Sequence, residues 1–134
     1  MRFARIVYSI AAIYGFIVLA PLYFLIERIG LDTPPPVTHT EFYYGFAGVA
    51  LLWQVVFLMI ARDPLRYRPI MLVTIFEKLA FTIPAVILYL LGKVPVSTLA
   101  IALVDPLLGI GFLIAYIRTR NLGRSNVITM TRAA

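Results

Sequence analysis

The stretch PIMLVTIFEKLAFTIPAVILYLL, residues 69–91, decides how the chain is read. A membrane-crossing helix needs ~20 apolar residues, and this run has the length. Yet Glu77 and Lys78 stand side by side near its middle, and a second acid, Asp105, stands in the middle of the next apolar run. An ionisable side chain at that depth in hydrocarbon costs on the order of 3 kcal/mol on insertion scales. Such a group is tolerated when it pairs, protonates or faces water. The sequence therefore describes membrane-crossing helices around a buried polar layer.

Working outward, the composition agrees. Of 134 residues, 62% are hydrophobic and 13% charged, and the mean hydropathy is +0.95. Soluble domains run near half apolar and about a quarter charged. Apolar runs fall at about 6–26, 42–61, 70–91 and 96–116. Too little chain remains for a soluble domain. The expected fold is all-α: an integral membrane four-helix bundle of antiparallel hairpins over residues 1–117, followed by a basic cytoplasmic tail at 118–134.

The net charge of +6 does not indicate a nucleic-acid partner, because the basic residues bracket the spans instead of sharing a polar face. Arg2, Arg5, Arg62, Arg66, Arg68, Arg118, Arg120, Arg124 and Arg132 lie at the chain ends and in the second loop, whereas the first and third loops hold only Arg28 and Lys93. The positive-inside rule then places both termini in the cytoplasm, in a multi-pass protein of the cell (inner) membrane. There is no cysteine, so disulfide, thiol and thiolate–metal chemistry are excluded. The opening Met1-Arg2-Phe3-Ala4-Arg5 looks like the start of a signal peptide. The apolar run behind it is about twice a signal peptide's length and no small-residue cleavage site follows, so it reads as a retained first helix.

Local signals refine this frame. Pro21 is expected to bend the outer third of helix 1, with Glu27 and Arg28 emerging into water. Thr38 and Glu41 fit a capping box ahead of helix 2. His39, the one histidine, reads as a surface residue beside that cap. Gly45, Ala47, Gly48 and Ala50 allow close backbone approach in helix 2, and the buried amide of Gln54 calls for a partner on another helix. Pro69 suits the first position of helix 3, and Gly92 its C-terminal cap. Asp63 is placed to clamp an arginine of its loop. Pro106, at the centre of helix 4, frees the carbonyl of Ala102 beside an acid.

Depth identifies the candidate site. At a rise of ~1.5 Å per residue, measured from each cytoplasmic end, Tyr14 lies about 12 Å in, Gln54 about 10 Å, Glu77 and Lys78 about 12–14 Å, and Asp105 about 16 Å. Each helix thus contributes to one polar layer: Tyr14, Gln54, Glu77, Lys78 and Asp105. Glu77 and Lys78 point about 100° apart, so both cannot face helix 4. Either Lys78 meets Asp105, or Glu77 shares a proton with it, the remaining group turning toward helix 1 or 2. Two carboxylates against one ammonium leave a formal charge of −1.

The layer has two readings: structural glue that fixes helix register, or the lining of a pocket for a ligand or a proton-coupled path. No Ser-His-Asp set, zinc-protease motif or phosphate-binding glycine loop is present. No catalytic residue, cofactor or metal ligand is therefore assigned. The expected partners are the lipid bilayer, anionic lipid headgroups at Arg62, Arg66, Arg68, Arg118 and Arg120, a protein partner subunit or second copy, and a lipophilic small molecule. In size and span number the chain resembles the small multidrug-resistance transporters, whose working acid lies in the first helix, where this chain has none at depth. In outline it is similar to emopamil-binding-type proteins, which also carry intramembrane acids. The functional expectation is an accessory or structural subunit, or a lipophilic-ligand-binding membrane protein. The alternatives are a proton-coupled transporter of a small lipophilic or cationic molecule, and a membrane isomerase that uses the buried acids.

Overall fold

A computed structural model describes residues 1–133, with side chains through Arg120. Those residues form helices and connecting turns, with no strand among them. The elements are α1 (Arg2–Leu19), α2 (Leu22–Asp32), α3 (Thr40–Arg62), α4 (Arg68–Leu90), α5 (Val96–Ala102) and α6 (Val104–Ala133). Four stretches are long and apolar enough to cross a membrane: Arg2–Leu19, Thr40–Arg62, Arg68–Leu90 and Val96–Arg120. In the tail expected at 118–134, Arg124 and Arg132 lie outside the residues whose side chains are described.

Two of the expected helices are interrupted, and proline is the reason at both places. The run 6–26 is not one helix. It breaks at Ala20–Pro21, where the ring offers no N–H to continue the ladder, and the chain restarts through Tyr23 N–H to Ala20 O (3.4 Å) and Phe24 N–H to Pro21 O (2.9 Å). The following helix α2 runs on to Asp32, so Glu27 and Arg28 are exposed as expected but sit within a helix, Arg28 Nε lying 3.1 Å from Asp32 Oδ2. The run 96–116 breaks at Leu103, three residues before Pro106, which puts Asp105 in the first turn of α6 instead of mid-helix. Pro84, by contrast, stays inside α4.

The hairpin after α4 closes as the sequence indicates. Gly92 adopts φ +68°, a conformation open to glycine at little cost. Its N–H bonds Tyr89 O at 2.9 Å, and the Lys93 N–H bonds Leu88 O at 2.9 Å, the paired bonds of a Schellman cap. The capping box before α3 does not form. That helix starts at Thr40, and Glu41 meets His39 Nδ1 at 3.2 Å instead of reaching back to Thr38.

The chain divides into two compact units, Met1–Tyr8 with Met59–Ala134, and Ser9–Leu58. In the first, α4, α5 and α6 pack together. The buried face of α4 is the stripe Met71, Thr74, Lys78, Thr82, Ala85, spaced by three and four residues as one helix face requires. In the second unit, small residues bring α1 and α3 close. A methyl group added at Gly15 would collide with the amide of Gln54, and one at Gly48 would lie 3.1 Å from the Tyr23 hydroxyl. Tyr43 donates to Leu22 O at 2.7 Å, just past the Pro21 break.

Candidate functional site

The inward face of α4 carries the site. Lys78 is 5% exposed. Its ammonium Nζ lies 3.0 Å from Asp105 Oδ1 and 3.2 Å from Glu77 Oε2, and the two acid side chains are 20% and 19% exposed. The expected choice between the acids does not arise. Glu77 turns neither away nor onto Asp105; its flexible chain spans the 100° offset and brings its carboxylate to the ammonium of its own neighbour. One cation thus sits between two acids, one from its own helix and one from the first turn of α6.

The backbone explains how Asp105 reaches that position. Because Pro106 has no N–H, Ala102 O lacks its helical donor. The buried Thr82 hydroxyl lies 3.0 Å from Ala102 O and 2.9 Å from Lys78 O. A hydroxyl has one proton, so the two carbonyls share it. The bond to Ala102 holds α4 against the end of α5, next to the point where α6 begins. Gly109 lies one turn beyond Asp105, and a methyl there would make ordinary contact, 3.4 Å, with Lys78 Cβ. The aliphatic stem of Lys78 therefore packs on α6 while its head meets the acids.

Toward the other end of the same stripe, Tyr8 is fully buried and stacks on Phe112 with ring centroids 4.1 Å apart. Its hydroxyl lies 2.7 Å from Thr74 Oγ1, and Thr74 Oγ1 donates to Met71 O at 2.8 Å. Since the single Thr74 proton goes to Met71, Tyr8 is the donor to Thr74. Thr119 closes this end. Its hydroxyl lies 2.9 Å from both Ala115 O and Tyr116 O, and 3.8 Å from Met71 Sδ.

Of the five residues expected in one layer, Glu77, Lys78 and Asp105 come together in the first unit. Tyr14 and Gln54 belong to the second. Gln54 is buried, but its Nε2 donates to Ala50 O of its own helix at 2.8 Å, and its Oε1 has no hydrogen-bond partner. The cross-helix bond expected of it is absent because its neighbour on α1 is Gly15, which offers no side-chain donor. Tyr14 is half-buried. Thr74 and Thr82 lie on the same α4 stripe as Lys78, and Tyr8 bonds to it, without having been expected there. The spacing Thr74–Lys78–Thr82, four residues at each step, was the available signal.

The arginines expected to meet headgroups gather in the first unit. Arg68 lies over the Tyr116 ring at 4.2 Å, Arg118 over Phe3 at 4.5 Å, and Arg66 over Tyr67 at 5.6 Å. Arg62 and Arg120 are exposed. Asp63 does not clamp an arginine side chain; its Oδ1 accepts the backbone N–H of Arg66 at 3.2 Å and shapes the turn. Compared with protein-family models, curated proteins and solved structures, the chain finds no match.

Proposed function

We propose that this chain is a four-span integral protein of the inner membrane, with both termini in the cytoplasm, serving as an accessory or structural subunit that binds lipophilic partners. The observation that carries the reading is the ammonium of Lys78 held by Glu77 and Asp105 on otherwise apolar helices. Charge placed so favours a built-in brace: removing one member of a buried pair strands the other, at about 3–5 kcal/mol. Thr82 and Tyr8 extend the brace along α4. The concentration of arginine at the chain ends and in the 62–68 loop supports the orientation.

Substitution of Asp105 by Asn, which keeps shape and removes charge, tests this role. The brace reading expects thermal stability in mild detergent and recovery of any stoichiometric partner to fall together. A variant as stable as wild type, purifying as the same species, would refute it.

One observation favours a second reading, a proton-coupled transporter of a lipophilic cation: two acids face one ammonium, leaving a negative charge in excess. Under that reading Glu77→Gln keeps the protein folded and abolishes proton-coupled uptake into vesicles. An isomerase using the same acids would lose turnover of a lipid-like substrate with the same substitution.

A further inference from the structure

We infer that Arg68 and Tyr116 form a seat for the phosphate of an anionic membrane lipid, whose acyl chain lies along the exposed face of α4. The inference rests on the reading of α4 as a membrane span. The guanidinium carbon of Arg68 lies 4.2 Å from the centre of the Tyr116 ring, so the head is positioned before any ligand arrives. Among the described residues no carboxylate lies within ion-pairing distance of it. Asp63, the acid of the adjoining loop, accepts the Arg66 amide. Arg68 is half-buried, and its Nε is closed off without a hydrogen-bond partner. Recognition therefore falls to its terminal nitrogens, which suit phosphate oxygens. The backbone adds no free donor: Arg68 N–H goes to Leu65 O, Ile70 N–H goes to Tyr67 O, and Pro69 has none.

The choice of a lipid over a soluble phosphate comes from what lies below the arginine. Leu72, Phe76 and Leu79 follow Arg68 on the same helix face and are 42%, 68% and 38% exposed. From residue 68 to residue 79 the helix rises ~16 Å, about half of a ~30 Å hydrocarbon core. A charged head above an apolar track one leaflet long matches a molecule built in the same order. Arg62 and Arg120 are exposed, and among the described residues neither lies over a ring, so they contribute only diffuse attraction.

The test uses the full-length chain in nanodiscs of phosphatidylcholine with a minor share of phosphatidylglycerol, with retained lipids counted by native mass spectrometry. Wild type is expected to retain phosphatidylglycerol preferentially, and inorganic phosphate at millimolar level is expected not to displace it. Tyr116→Leu leaves the charge unchanged and Arg68→Lys leaves a cation. Both are expected to lower retention about tenfold, and Arg120→Ala much less. Equal retention of the two lipids, displacement by inorganic phosphate, or a loss for Arg120→Ala as large as for Tyr116→Leu would overturn the seat. If the variants unfold, protection of Arg68 from an arginine-specific reagent by phosphatidylglycerol in the wild type replaces them, and no protection overturns the proposal. Loss of the protein from alkaline-washed membranes would instead refute the spanning reading on which the seat rests.

Discussion

At the scale of single residues, the packing of Gly15 against Gln54 makes the sharpest demand. A Cβ at Gly15 collides with an amide that is 3% exposed and already bonded to Ala50 O. Gly15→Ala should therefore destabilise the protein by about 1–3 kcal/mol. Gly45→Ala, where nothing lies within 4 Å of the added carbon, should be neutral or stabilise by about 0.5–1 kcal/mol. Thermal unfolding in detergent checks both, and Gln54→Ala in the Gly15→Ala background should restore part of the loss. Tyr8→Phe keeps the ring on Phe112 and removes the bond to Thr74, for an expected cost of about 1 kcal/mol. Tyr8→Ala also loses the stacked ring, and its cost should be near 3–5 kcal/mol. Some of this was legible in the sequence. Depth alone put Glu77, Lys78 and Asp105 at one level, because a lone charge in oil is so expensive, and left open whether Lys78 or Glu77 would meet Asp105. Depth could not reveal that Glu77 reaches the same ammonium, since that depends on side-chain reach and not on helical angle. Nor could it separate Tyr8 from Tyr14, two tyrosines in one apolar run that differ only in what faces them.

At the scale of elements, the three prolines inside the apolar runs behave differently. Pro84 stays inside α4, while Pro21 and Pro106 end a helix. The break before Pro106 is supported by a tertiary donor, the Thr82 hydroxyl on Ala102 O, and no local pattern announces a partner 20 residues away. This gives a coupled prediction. Thr82→Val leaves the buried Ala102 carbonyl without a donor and should cost about 1–3 kcal/mol. In a Pro106→Ala background, residue 106 regains an N–H for that carbonyl, and the same substitution should cost markedly less. Strict additivity in the double-mutant cycle would contradict this account of the break. The end of α4, in contrast, was legible, because Gly92 followed three residues on by Pro95 writes a cap in local chemistry.

At the scale of the whole molecule, four stretches of membrane-crossing length and hydropathy were plain from composition. Their interruption was not, and the orientation rests on the distribution of arginine. The cysteine-free chain makes that orientation simple to test: single cysteines at positions 35 and 93 should react with an impermeant maleimide added outside intact cells, and one at position 65 should react only after lysis. Labelling at 65 from outside would reverse the proposed topology. Under the proposed brace, the cation shared by two acids is what keeps so apolar a chain in a single register, and its energetics are directly measurable. Unfolding free energies of Lys78→Met, Asp105→Asn and the double variant in the same detergent give the coupling between the two groups. The brace requires each single change to be strongly destabilising, Lys78→Met most of all because it strands both Glu77 and Asp105, and the double variant to be more stable than their summed losses allow. Single variants close to wild type, or losses that simply add, would contradict it.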